Sequence, residues 1–231
     1  MPEALHRSVL DVLGMEITAG IQPEGTVLTL ERIQQRFAVS RTVARECMRL
    51  LEQLQLVTSS RRVGIVVRPS GDWDALDARV IRWRLAGPGR PSQLHSLAEL
   101  RAAVEPLAAA RAARYATVAE RAQLRALATR LRAAGAAGDR DECLALDIEF
   151  HTVMLRASRN ELFAALSDAV AQVLAGRTHI GSEPSEPSLS SLEAHDAVAQ
   201  AVHDGDAHTA EHAMRAMLTE LTMASAERDG H

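Results

Sequence analysis

Thr29 and Ser40 stand eleven positions apart in this 231-residue chain, and each is followed by a run of helical period. Both are residue types whose hydroxyl accepts a hydrogen bond from the first turn of a helix. The interval leaves room for a short helix over Leu30–Phe37, a two-residue turn at Ala38-Val39, and a second helix from Ser40 to about Leu54. Residues 4–19 read as a further helix, ended by Gly20 and the Pro23-Glu24-Gly25 turn, which would pack behind the pair. Two strand-like runs follow, Leu56–Thr58 and Gly64–Val67, joined by the basic turn Ser59-Ser60-Arg61-Arg62.

Plotted at about 100° per residue, the second helix has two faces. Val43, Cys47, Leu50, Leu51 and Leu54 share one side, and Arg41, Arg45 and Arg49 form a stripe on the other. Arginine can fork onto a guanine edge or clamp a phosphate, and a capped helix N-terminus also favours phosphate. The stripe suits entry into the DNA major groove. It is equally what an ordinary solvated face would show. The turn, the cap and the basic hairpin together favour a winged helix-turn-helix.

At these residues the chain resembles the DNA-binding domain of GntR-family transcription regulators. The resemblance is carried by Leu28-Thr29-Leu30-Glu31-Arg32, then Phe37-Ala38-Val39-Ser40-Arg41-Thr42, then Arg45-Glu46. It departs from the family pattern at Thr29-Leu30 (usually proline-serine), at Ala38 (usually glycine), and at Arg62-Val63-Gly64, where a glycine-x-glycine wing tip is common. The resemblance implies that Arg32, Arg41, Thr42, Arg45 and the wing residues Arg61 and Arg62 touch DNA.

Charge is unevenly distributed. All 26 basic residues are Arg; residues 1–70 carry nine of them against seven acids, and residues 71–231 carry 17 against 23. A basic front and an acidic rear fit a DNA-binding head on a body that does not touch DNA. Cys47 and Cys143 lie far apart on apolar helix faces and read as core thiols. No leader and no run of 18 apolar residues is present, so the expectation is a cytoplasmic protein that spans no membrane.

Arg68-Pro69-Ser70-Gly71 breaks the pattern, which gives a head over 1–70. A short helix over Asp72–Leu85 carries both tryptophans, and Gly87–Pro91 is a second break; residues 71–91 read as a linker holding the two domains together. From Ser92 onward nearly everything has helical period. Helices are expected at about 93–115, 117–135, 139–157, 160–178, 190–204 and 206–227. The predicted fold is therefore mainly α, a winged helix-turn-helix followed by an antiparallel all-helical bundle over 92–231. The polar loop Gly181–Ser188 is placed to cover a site in the bundle.

Four polar side chains fall where the bundle should be apolar. Asp147 and His151 sit inside the arc of Cys143, Leu144, Phe150, Met154 and Leu155, one turn apart on the same helix. His195 lies among Leu192, Val198, Ala199 and Val202, and Arg101 among Leu94, Leu97, Val104 and Ala108. Burying such groups costs several kcal/mol unless they are paired. Two accounts remain open: a network that only ties helices together, or a metal or anion site.

The arrangement also resembles the C-terminal effector-binding (FCD) domain of the FadR subgroup of GntR regulators. The pieces are Glu99-Leu100-Arg101 with Glu105-Pro106, Asp147 with Phe150-His151, and His195 ahead of Gly205-Asp206 and Ala213-Met214. The segment WDALDARVIRWRL is similar to that of regulators of sugar-acid catabolism of the galactonate-operon type. The resemblance implies a helical pocket in which an aspartate and three histidines bind a divalent metal of the Zn or Ni type, with a small organic acid beside it. Asp147, His151 and His195 match three of these ligands, whereas Met217 stands at the usual fourth-ligand position. A thioether is a poor ligand for a hard or borderline cation.

The resulting expectation is a homodimeric repressor whose binding to a double-stranded operator is controlled by a small carboxylate effector, clamped by Arg101. A metal-dependent enzyme on a small organic acid, with a DNA-binding appendage, is the reading from a different class. No further inward carboxylate or nucleophile stands ready to act as a base beside Asp147, His151 and His195, Glu105 being the nearest candidate. A sequence-indifferent architectural DNA protein fits poorly with a net charge of −4.

Overall fold

The computed structural model describes residues 2–60, 63–178 and 189–229. The chain forms two compact units, Met1–Gln93 and Leu94–His231. No helix among the described residues is long and apolar enough to cross a membrane.

In the first unit, α1 (Pro2–Thr18) buries Val9, Leu10, Leu13 and Ile17, a spacing of three to four that defines one helix face. Behind it come α2 (Leu30–Phe37) and α3 (Arg41–Gln53). The Thr29 hydroxyl accepts from Arg32 N and the Ser40 hydroxyl from Val43 N, both at 3.3 Å, so the two N-caps are where the sequence puts them. Ala38 makes the turn in the left-handed region, with φ 52°. Ala44, Cys47, Met48 and Leu51 bury the inner face of α3.

Three antiparallel strands follow the order β1-β3-β2, from β1 (Val27–Leu28), β2 (Val57–Ser60) and β3 (Gly64–Val67). The sequence did not suggest β1, because two residues are too few for alternation to show; it pairs Val27 with Val66 and Leu28 with Ile65. Ser59 and Ser60, expected in the turn, belong to the ladder, opposite Ile65 and Gly64. Gly64 has φ +110°, a conformation that favours glycine, and a Cβ there would crowd Val27 Cγ1 at 3.2 Å. Arg61 and Arg62 lie outside the described residues.

The helix expected over Asp72–Leu85 starts later. Residues Ser70–Asp72 form a single 3₁₀ turn, and α4 (Ala78–Ala86) begins at Asp77, whose carboxylate accepts from Arg79 N at 2.8 Å. Trp73 instead donates its indole N–H to Arg68 O. Trp83 is buried and donates to Asp11 Oδ1 at 2.8 Å. Its ring fills the space at Gly14, where a Cβ would come within 2.5 Å of ring carbons. The segment carrying both tryptophans thus packs on α1 within the first unit.

The second unit is helical: α5 (Arg90–Tyr115), α6 (Val118–Ala137), α7 (Arg140–Ala157), α8 (Glu161–Ala165), α9 (Ser167–Thr178), α10 (Leu189–Asp204) and α11 (Ala207–Asp229). Pro91 sits in the first turn of α5, where a missing N–H costs nothing. Pro106 is tolerated mid-helix; the carbonyl it leaves unpaired belongs to exposed Ala102, within reach of water. Thr117 and Glu120 form a reciprocal capping box on α6, and Asp139 caps α7. The single helix expected over 160–178 is two. Leu166 N bonds to Phe163 O and the Ser167 hydroxyl donates to Ala164 O, which interrupts the regular ladder. Phe150, Met154, Leu155, Val198, Val202 and Met214 are buried together in the core. Arginines fasten its helix ends: Arg111 donates to Ser158 O, and Arg121 to Ala113 O, Ala116 O and His203 O. The loop Gly181–Ser188 lies outside the described residues.

Candidate nucleic-acid interface and ligand site

On α3 the apolar face is turned into the head, which leaves Arg41, Thr42, Arg45 and Arg49 exposed. Arg32 on α2 is exposed as well. Among the described residues, the guanidinium groups of Arg32, Arg41 and Arg45 make no hydrogen bond or ion pair. Arg49 differs. Its Nε donates to both carboxylate oxygens of Glu46 at 3.0 Å, a pairing the periodicity alone did not separate from its neighbours. Glu52 Oε1 accepts from Ser59 N at 2.8 Å and ties the hairpin to α3. A cleft of about 550 Å³ opens here, lined by Thr42, Arg45, Glu46, Arg49 and Ser59 among others. The surface offers forked donors to an acidic partner.

The second unit brings together Asp147 and His151 from α7, His195 from α10, and Arg101 with Glu105 from α5. Ligand atoms of Asp147, His151 and His195 all lie within 4.8 Å of one another. Arg101 is 3% exposed and Glu105 fully buried. The guanidinium donates from Nε to Glu105 Oε1 at 2.6 Å and from one terminal nitrogen to Oε2 at 3.3 Å. That same terminal nitrogen lies 3.2 Å from His151 Nε2. Arg101 is therefore inward, as its position implied, but already engaged by a carboxylate.

The two imidazoles are aimed by their other nitrogens. His195 Nδ1 lies 2.7 Å from Ser191 O, and a carbonyl only accepts, so Nδ1 carries a proton. In the neutral ring Nε2 is then a bare lone pair, and it faces Asp147 Oδ1 at 3.0 Å. His151 Nε2 faces the same oxygen at 3.3 Å. Phe150, fully buried, meets both rings edge-on with centroids 5.8 and 5.0 Å away. Its contact with both histidines was not evident from the sequence.

Lone pairs facing lone pairs at such distances need positive charge between them. The cluster has two carboxylates and one guanidinium, hence one uncompensated negative charge when both histidines are neutral. The ionisation of the groups follows. Burial works against the Asp147 carboxylate, but contacts from His151 and His195 hold it well below the usual carboxylate range. Burial also opposes ionisation of Glu105, yet the Arg101 charge and then His151 bring it down to about 2. Burial, and then the Arg101 charge, work against a charged His151, but the Glu105 and Asp147 carboxylates together raise the imidazole to about 9. The donor set of one carboxylate and two imidazoles fits a divalent metal. Met217 is buried in the bundle core at 1% exposure.

Comparison with known proteins gives a consistent picture. Residues 5–67 match the gntR family of bacterial regulatory proteins, and residues 96–220 match the FCD domain. The chain is 30% identical over 218 residues to the galactonate operon transcriptional repressor of Escherichia coli strain K12, covering 93% of each. Among solved structures, it is similar to a GntR protein of Streptococcus agalactiae (TM-score 0.54, 22% identity, 95% of this chain and 99% of the other). It is also similar to McbR/YncC of E. coli (TM-score 0.55, 17% identity, 98% and 99%). At those identities the structural likeness concerns the fold alone. The matched families and curated relatives are transcription regulators and not enzymes. With a DNA-binding head that fits the first family and a helical body that fits the second, the chain belongs to the GntR family of bacterial transcription regulators, with an FCD domain as its C-terminal part.

Proposed function

We propose that this regulator is a cytoplasmic, homodimeric repressor, released from its operator by a small carboxylate effector bound in the helical bundle beside a divalent metal. In the head, Arg41, Thr42 and Arg45 read base edges or phosphates in the major groove, with Arg49 held back by Glu46. Arg32 and the wing residues Arg61 and Arg62 add backbone contacts. In the bundle, Asp147, His151 and His195 would hold the metal, and Arg101 would meet the effector's carboxylate. The observation that supports the metal is that one ligand atom from each of Asp147, His151 and His195 lies within 4.8 Å of the other two.

By the family resemblance, Met217 would stand where relatives offer a fourth ligand. Three protein ligands leave positions open to water or to the effector's own oxygens, so a bound metal would supply a positive charge for an acid to ligate. The relative named for the galactonate operon makes sugar acids the first class to try. A thermal-shift screen of sugar acids, hydroxy acids and other carboxylates, with and without Zn²⁺ or Ni²⁺, tests this. The expected result is a metal-dependent rise in melting temperature for one acid, which also releases the protein from operator DNA. Stabilisation by no acid, with or without metal, sinks the effector reading.

A further inference from the structure

We infer that Glu105 is a positioning residue of the metal site: it acts through His151, accepting a hydrogen bond from the ring's Nδ1–H so that Nε2 is presented to the cation. This rests on the metal reading above and goes beyond its ligand set. Glu105 Oε2 lies 2.7 Å from His151 Nδ1, on the side of the ring away from Asp147. The approach is off the line of a hydrogen bond. Nδ1 is the one buried side-chain nitrogen or oxygen among the described residues that lacks a hydrogen-bond partner.

A donor fully buried and 2.7 Å from a carboxylate, yet misaligned with it, is costly to leave so. His195 shows the contrast: its Nδ1 is satisfied by Ser191 O, so its ring is already set. The His151 ring lacks such an anchor. Its Nε2 is shared between Arg101 at 3.2 Å and Asp147 at 3.3 Å, contacts at the long end for such pairs. A cation at Nε2 gives the ring a reason to rotate and align Nδ1–H on Glu105. The carboxylate itself is not free to follow, because Arg101 grips both of its oxygens. Arg101 and Glu105, one turn apart on α5, thus form a fixed backstop for a ligand on α7. Carboxylates placed this way raise the basicity of a ligating imidazole and fix its tautomer, and their loss typically weakens metal binding ten- to a hundredfold.

The test compares metal-stripped full-length wild type with Glu105→Gln. Isothermal titration with Zn²⁺ and with Ni²⁺ should show affinity ten- to a hundredfold lower in the variant, while operator binding without effector stays unchanged. A nitrogen-edited NMR spectrum of the Zn²⁺-loaded proteins supplies a signature that a purely structural role would not move. The His151 Nδ1–H resonance should shift or vanish in Glu105→Gln, and that of His195 should stay in place. If Glu105→Gln does not fold, the Arg101→Gln/Glu105→Gln pair, which buries no lone charge, must show the same loss of affinity. Equal affinity and an unmoved His151 resonance would overturn the inference and leave the metal site standing. Absence of metal binding in wild type would overturn both.

Discussion

In the head, Arg41 and Arg45 stand exposed on α3 with no partner among the described residues; in the bundle, Arg101 is 3% exposed and gripped by Glu105. The same residue type is therefore used in two ways. An arginine in water keeps its solvation until a phosphate or base edge replaces it, so the head can remain unsatisfied at little cost. An arginine inside a core cannot wait for its partner, because an unpaired buried charge is too expensive. The bundle must carry its own counter-ion even if an acid is to bind there. Function at a surface can thus be built from single side chains, whereas function in a core requires a set.

The sharpest way to break this contrast is to remove one member of the buried set. Arg101→Ala leaves the buried Glu105 carboxylate with only the His151 ring beside it, and should destabilise the protein by about 3–5 kcal/mol in urea unfolding. Replacing both by apolar residues, Arg101→Met with Glu105→Leu, should recover most of that loss while operator release by effector stays absent. If Arg101→Ala costs less than about 1 kcal/mol, the pair is not the tie described here.

The exposed set should behave in the opposite manner. Arg45→Ala, and likewise Arg41→Ala, should leave the melting temperature unchanged and weaken operator binding by about 1–3 kcal/mol, roughly 5- to 150-fold. An unchanged operator affinity in a mobility-shift titration would remove α3 from the groove. Arg49→Ala should have the smaller effect, since Glu46 already occupies its guanidinium.

Met217 tests whether the core site is short of a ligand. Met217→His should raise Zn²⁺ or Ni²⁺ affinity about tenfold or more in calorimetric titration, and His195→Ala should cancel the gain. Tight binding by wild type that the substitution does not improve would mean that three ligands and water suffice.

The smallest effect concerns the turn between α2 and α3. Ala38 holds φ 52°, where an L-residue pays about 1–2 kcal/mol and glycine does not. Glycine loses about 0.5–1 kcal/mol more chain entropy on folding, so Ala38→Gly should stabilise by about 0.5–1 kcal/mol. A fall in the unfolding midpoint would show that the alanine methyl makes a contact worth more than the strain.

Much of the head was legible because its signals are local. A cap is a hydroxyl and an amide three residues on, and the faces of α3 follow from 3.6 residues per turn; both Thr29 and Ser40 cap where the sequence indicates. The strand β1 escaped because its ladder partner lies almost forty residues away, at Ile65 and Val66. In the bundle, periodicity was enough to point Arg101, Asp147, His151 and His195 inward, and all but Asp147 are in fact almost fully buried. Periodicity could not tell which of them touch. That Glu105 takes both oxygens to Arg101 and stands 2.7 Å from His151, that Phe150 is edge-on to two imidazoles, and that Ser191 commits one nitrogen of His195 are facts of helix packing. A sequence sets which face of a helix is apolar through covalent geometry alone. Which polar group meets which depends on the rotation and rise of one helix against another, and those are fixed only when the whole core closes at solid density.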